Sequence, residues 1–347
     1  MTVTIAVILF VALIAYAVFG GADFGAGFWD LTAGGARRGA RPRAVIERSI
    51  GPVWEANHVW LIFIFVVMWT AFPSAYASIM LTLFVPLTIA ALGIVMRGAS
   101  FAFRKAVVDL RFRRIFGGLF ALSSVLVPFC MGAVAGGIVS GQVPAGGRAG
   151  DPVHSWLNPT SIVVGVLAVV LAAYLAAVYL VWDARSHQET DLAGYFRRRA
   201  VLAGAVAAVV AAVGFVVVRA EAPTVFAGLT SRGLPLVILS VLCGVAALVL
   251  LARNAARGAR LLAVIAVAAV VGAWGVAQWP YLLPTSLTVT DAIAPSGTLT
   301  ALLVASGLAV LLVVPGFILL YVLDQRGLLP DEGVADVADT TFRTSAD

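Results

Sequence analysis

Long apolar runs alternate with short polar stretches along the whole chain, and within the runs apolar and polar positions do not alternate one by one. A helix needs about 20 apolar residues to cross a bilayer core, whereas membrane strands show alternating segments of about ten. The runs here have the first character. Nine are set off by charges, glycine and proline: about Val3 to Ala22, Pro52 to Thr70, Ser78 to Met96, Ile115 to Val139, Trp156 to Trp182, Ala200 to Val218, Leu234 to Ala252, Leu261 to Trp279 and Leu299 to Leu323. The pattern predicts an all-α integral membrane protein with nine transmembrane helices over residues 1–329. A polar tail follows over 330–347, and its composition predicts disorder. The first run has neither a basic segment before it nor a small-residue cleavage site after it, so it reads as a retained helix.

Composition agrees. The chain is 62% apolar and 12% charged, with a mean hydropathy of +1.04, against about 45–50% and about 25% for a soluble domain. So few charges cannot cover a soluble surface. The net charge of +6 is of the kind that suggests nucleic acid. Here, however, the basic residues sit between apolar runs, where membrane topology accounts for them. Lys and Arg gather on the cytoplasmic side. Of the 23 basic residues, 20 follow runs one, three, five and seven or lie in the tail; only Arg148, Arg219 and Arg232 fall elsewhere. The expected topology is therefore N-terminus outside and C-terminus cytoplasmic, with membrane lipid as a partner and no nucleic acid.

The two halves differ. Helices one to four, about 3–140, carry most of the Trp, Phe and polar punctuation. Helices five to eight, about 156–280, are dominated by Ala, Val and Leu, as in "VLAGAVAAVVAAVGFVVV", which suits close packing through small residues. The expected arrangement is two four-helix bundles plus one peripheral helix, the ninth at about 299–323. Cys130 and Cys243 form no metal or redox pattern and read as packed thiols.

Polar residues at membrane depth are costly and mark candidate sites. They cluster in "GGADFGAGFWDL" (Gly20 to Leu31), "GPVWEANHVWLI" (Gly51 to Ile62) and "MRGASFAFR" (Met96 to Arg104). With helix one leaving the membrane at Asp23, helix two entering at Pro52 and helix three leaving at Arg97, the residues Asp23, Glu55, His58 and Arg97 surround one cytoplasm-facing polar pocket, with Trp54 beside Glu55. Glu55 and His58 are three apart and share a helix face. Three readings stand: a solvated helix entrance complementing the helix dipole, a proton relay, and half of a di-metal Glu-x-x-His signature. The last lacks its second half, since neither His154 nor His187 has a Glu three residues before it. With those two histidines in loops, no haem-ligating pair is apparent. "QWPYLLPTSLTVTDAIAPSGTL", Gln278 to Leu299, reads as an ordered external loop that caps the helices.

These segments, with "PYLLPTSL" followed by "TDA", resemble subunit II of cytochrome bd-type quinol oxidases from helix one to helix nine. The resemblance implies a subunit of a terminal oxidase in a bacterial cell membrane, inactive alone, in a complex that oxidises quinol and reduces dioxygen to water. It implies a haem-bearing subunit I holding two haem b and haem d, a cytoplasmic proton path, in some members a structural quinone, and room for small single-helix subunits. It matches Asp23, Trp54, Glu55 and Arg97 to the family's acidic, Trp-acid and Arg positions. Ala102 departs from it, standing where members often have Glu. A secondary transporter with a cytoplasm-facing polar pocket is the alternative reading.

Overall fold

The computed structural model describes residues 1–35, 37–50, 54–106, 110–255 and 257–325; within these, the side chains of residues 50, 54–56, 104–106, 110, 111, 113, 114, 314, 317, 320, 321, 324 and 325 lie outside the description. The tail over 330–347 also lies outside it. The chain divides into two compact units, Met1–Leu303 and Val304–Asp347.

The first span is longer than the apolar run predicts. Helix α1 (Thr2–Ala15) passes through a π-helical turn (Tyr16–Gly20) into α2 (Gly21–Leu31), giving one continuous span, Thr2–Leu31. The glycines and Asp23 do not end it. They lie against neighbouring helices, where close packing and an ion partner replace water. Helix α3 (Ala40–Ile50) follows, with Val45 and Ile46 buried.

Helix α4 (Trp54–Ala71) ends at Phe72, and Pro73 opens α5 (Pro73–Thr82) at a 120° bend. Pro is favoured at a first helical turn because that N–H needs no partner. The next membrane helix, α6, starts only at Phe84 and runs to Ala106. The predicted third helix is thus corrected at both ends. Ser78 to Thr82 belong to α5, and Arg97 lies inside α6 rather than at its end.

Helix α7 (Leu110–Val139) and α8 (Pro159–Ser186) follow. Asn158 caps α8 by accepting the Ser161 N–H at 2.8 Å, with Pro159 in the first turn. Helix α9 (Thr190–Glu221) starts ten residues before the predicted Ala200, and a short α10 (Pro223–Leu229) leads to α11 (Leu234–Ala252) and α12 (Ala259–Gln278). The loop after α12 is ordered. Strands β1 (Tyr281–Leu283) and β2 (Leu287–Thr288) pair antiparallel, α13 (Val289–Ala292) is capped by Thr288, and α14 (Ser296–Gln325) follows. Among the described residues eight helices are long and apolar enough to cross a membrane, with the bent α4–α5 pair as a ninth candidate.

Within the first unit the helices fall by sequence into an earlier group, α1–α2, α4, α6 and α7, and a later group, α8, α9, α11 and α12; the two share one core, with α7 and α2 packed on α8. Helix α8 is the hub. Its residues 172–178 are all buried, and it packs against α2 and α7 of the first group as well as α9 and α12 of its own.

Loops sort to two faces. On one, Arg41 pairs with Asp191 at 2.6 Å, Arg48 reaches Asp183 and Glu189 at 3.6 and 3.5 Å, and Arg185 donates to Asn254 Oδ1 at 2.7 Å. On the other, Gly147 and Gly150 donate to Ser78 and Thr82 at 3.0 and 2.9 Å, and Ala294 N–H reaches the Ala71 carbonyl at 2.8 Å. The arginine-bearing loops after the first, fifth and seventh predicted spans therefore meet on one face.

Candidate functional site

Three helices converge on a buried ion pair. Asp23 on α2 and Arg97 on α6 are 6% and 2% exposed. Arg97 Nη1 donates to Asp23 Oδ2 at 2.6 Å and Nη2 to Oδ1 at 2.7 Å, a two-pronged fork suited to a planar guanidinium. Nη2 also donates to the Asp23 carbonyl at 3.0 Å, and Nε to Ser124 Oγ on α7 at 3.1 Å. Four of the five N–H donors of Arg97 are thereby occupied. The Ser124 hydroxyl donates its hydrogen bond to the Phe120 carbonyl at 2.6 Å, so it is fixed as an acceptor for Arg97.

Two rings enclose the cation. The guanidinium carbon lies 4.8 Å from the Phe24 ring centre and 4.9 Å from that of Phe120, within cation–π range. Phe24 also meets the His58 ring of α4 edge-on at 5.9 Å. One phenyl ring thus touches both Arg97 and His58. Nearby, the Tyr16 ring of the π turn lies over Gly20, where an added Cβ would come within 2.9 Å, and the Tyr16 hydroxyl is buried without a hydrogen-bond partner among the described residues.

The glycines explain how α2 comes so close. A Cβ on Gly25 would fall 1.9 Å from the Ala172 carbonyl oxygen of α8, and one on Gly27 would fall 2.1 Å from Ser124 Oγ. Only a residue without a side chain fits either contact. One turn further on, Trp29 donates its indole N–H to the Ala173 carbonyl at 2.7 Å. Asp30 is buried and pairs with Arg43 at 3.2 Å.

Among the candidates read from the sequence, the fold brings Asp23 and Arg97 into direct contact and places His58 beside them through Phe24. Trp54 and Glu55 open α4 one turn before His58, and their side chains lie outside the described residues. The helix ends differ from those expected. Asp23 and Arg97 both sit within helices, and their pair is closed from solvent rather than lining an open mouth. Sequence reasoning missed Ser124, Phe24, Phe120 and the Asp30–Arg43 pair. Two adjacent serines, Ser123 and Ser124, in an otherwise apolar helix were the available signal.

Among the described residues no group of three or more His, Cys, Asp or Glu side chains is placed to hold a metal ion. His154 is exposed, with Nδ1 3.0 Å from Asp151 Oδ2. The backbone N–H groups of His154 and Val153 hold the Asp151 carboxyl down at about 2. His187 is an exposed helix cap 3.7 Å from Asp183.

The family model for cytochrome bd terminal oxidase subunit II matches residues 1–324. The chain is 22% identical over 330 residues to the putative cytochrome bd menaquinol oxidase subunit II of Bacillus subtilis (strain 168), covering 91% of this chain and 94% of that one. It is 30% identical over 152 residues to cytochrome bd ubiquinol oxidase subunit 2 of the same organism, covering 44% of each chain. With cytochrome bd-I ubiquinol oxidase subunit 2 of Escherichia coli (strain K12) it is 26% identical over 178 residues, covering 49% of this chain and 45% of that one. The chain thus spans less than half the length of those last two relatives. A chain from the structure of bd oxidase from Geobacillus thermodenitrificans superposes with a TM-score of 0.72 at 27% identity, covering 94% of this chain and 99% of that one.

Proposed function

The chain belongs to the cytochrome bd terminal oxidase subunit II family, and from that premise we propose that it is the non-haem subunit of a quinol-oxidising, dioxygen-reducing complex in a bacterial cell membrane. Subunit I is its obligate partner and supplies the haem b and haem d groups, on which the electron chemistry runs. Nothing in the comparisons supports the transporter alternative.

The observation that carries a role for this chain's own residues is the buried Asp23–Arg97 fork beside α4. Reduction of dioxygen to water consumes protons, and the basic face, read as cytoplasmic, is their source. In this reading Glu55 is the acid that exchanges protons at the start of α4, with Trp54 next to it in sequence and His58 three residues further along the same helix. Asp23 and Arg97 act as a fixed pair. Both carboxylate oxygens are gripped by a permanent cation, so the pair holds the α2–α6–α7 contact and sets the field around His58. N-terminus outside and C-terminus cytoplasmic is part of the same proposal, supported by the gathering of the arginine-bearing loops on one face.

The test uses the purified complex. Glu55→Gln keeps shape and hydrogen bonding but cannot ionise. It lowers oxygen consumption by about 10²-fold, the lower end for loss of a positioned proton-transfer group, with haem content and the reduced spectrum intact, and Glu55→Asp retains more activity. Turnover at the wild-type rate across pH rejects Glu55 as the carrier. Loss of haem shows that Glu55 is structural. A colourless assembly without subunit I rejects the oxidase reading altogether.

A further inference from the structure

Helix α9 offers a second site, remote from the ion pair. Its 32 residues make it about 48 Å long, well beyond the roughly 30 Å hydrocarbon core. The stretch inside the core is marked by charge: Ala200 to Val218 carries none, and Arg199 and Arg219 bracket it. Arg198 and Arg199 therefore sit at the level of the phospholipid headgroups, on the face where the arginine-bearing loops gather.

Those two arginines line a groove of about 320 Å³ together with Trp29, Thr32 and Leu202. Neither guanidinium pairs with a carboxylate among the described residues, unlike Arg41, Arg43, Arg48 and Arg97. Arg199 is held from below, its guanidinium carbon 3.4 Å from the Tyr195 ring centre and 5.8 Å from that of Trp29. Aromatic stacking fixes the position of a cation without neutralising it. The groove thus presents two positive charges, one of them held in place; Thr32 lines its wall with its hydroxyl donating to the Phe28 carbonyl at 3.2 Å.

An apolar track leaves this groove along the same helix. Leu202, Val206, Val209, Val213 and Val216 recur at three- and four-residue spacing and are all exposed, Leu202 at 64% and Val216 at 66%. The track from Leu202 to Val216 is about 21 Å long, the length of an extended fatty acyl chain of ordinary size. A dianionic or monoanionic headgroup with an attached acyl chain matches both parts. A free anion matches only the first.

We infer that the groove at Arg198, Arg199, Thr32 and Trp29 binds the phosphate headgroup of an anionic glycerophospholipid from the leaflet on the basic face, one acyl chain lying along the Leu202–Val216 track. The bound lipid joins α2 of the first helix group to α9 of the second through a single ligand.

The experiment uses the intact complex in phosphatidylcholine nanodiscs, titrated with phosphatidylglycerol carrying brominated acyl chains, a contact quencher of tryptophan. Saturable quenching is expected, reaching its end point well below the lipid fraction at which brominated phosphatidylcholine quenches equally. Arg198→Gln with Arg199→Gln weakens the apparent affinity about 25-fold, roughly fivefold per guanidinium. Arg198→Gln alone, which leaves the Tyr195 stack untouched, weakens it about fivefold and guards against a misfolded double variant. Inorganic phosphate does not compete. The proposal is overturned if the folded Arg198→Gln complex, with an unchanged haem spectrum, binds phosphatidylglycerol like the wild type. It is equally overturned if phosphatidylcholine quenches with the same affinity, or if inorganic phosphate displaces the lipid, which marks a simple anion site.

Discussion

The two helix groups solve the same packing problem with different chemistry. In α1–α2, α4, α6 and α7 the fold is specified by polar singularities: Asp23 against Arg97, Ser124 accepting from Arg97, and Asp30 against Arg43 of the adjoining α3. In α8, α9, α11 and α12 it is specified by volume. Ala173, Ala176, Ala177, Ala200, Ala203, Ala247 and Ala263 are all buried in one cluster with Val178 and Leu180. Lipid tails are as apolar as Leu, so burial alone gives no reason for apolar helices to associate. Small residues that admit close contact, or polar groups that need a partner, must supply it. The second group relies mainly on the first device, with Ser240 donating to the Ala266 carbonyl and Thr160 to Glu221 as polar contacts between its helices. The first group adds the other, and it is the group whose helices carry every candidate site residue.

The largest test of that contrast is Arg97→Ala. It leaves the buried Asp23 carboxylate without its cation, and removal of one partner of a buried pair costs about 3–5 kcal/mol. The thermal midpoint of the purified complex, read by loss of the haem spectrum, should fall steeply, or assembly should fail. The double change Arg97→Met with Asp23→Leu should recover much of that stability without recovering function. If it recovers neither, the pair does more than neutralise itself.

Next in size is Gly25→Ala. The new methyl group would meet the Ala172 backbone, which cannot rotate away, so α2 must shift from α8 at a cost of at least about 1–3 kcal/mol. Gly204→Ala, inside the second group, meets the tip of the Leu248 side chain at 2.5 Å and the Tyr174 ring at 2.9 Å. A side-chain tip can change rotamer, so this substitution should cost less. Gly117→Ala has nothing within 4 Å and should be neutral or slightly stabilising on helix propensity. Equal midpoints for all three would break the comparison.

Smaller effects sharpen it. Ser124→Ala removes one acceptor from a guanidinium that keeps three other bonds; a loss of about 1 kcal/mol is expected. Arg41→Ala breaks an exposed pair with Asp191 and should shift the midpoint by no more than about 0.5–1 kcal/mol, and less at high salt.

The sequence by itself determined the parts that are sums over neighbours in the chain. Burying one residue in lipid has nearly the same free energy wherever the helix lies, so Leu234 to Ala252 could be delimited as a helix to the residue. The basic residues likewise told which loops share a face, and the loop pairs at Arg41–Asp191 and Arg185–Asn254 agree. Asp23, His58 and Arg97 were legible as candidates because polarity at membrane depth is itself a signal. What those residues do to one another was decided by tertiary structure alone. Nothing local shows that Asp23 continues a helix instead of ending it. That depends on a cation 74 positions away arriving in fork geometry, and on Gly25 and Gly27 letting α2 approach α8 and α7 closely enough to close the space around it. The break at Phe72 and the short α5 escaped for a related reason. The chain is apolar on both sides of Pro73, and the contacts that hold the short helix come from far along the chain: the loop N–H groups of Gly147 and Gly150 on Ser78 and Thr82, and the Ala294 N–H on the Ala71 carbonyl just before it.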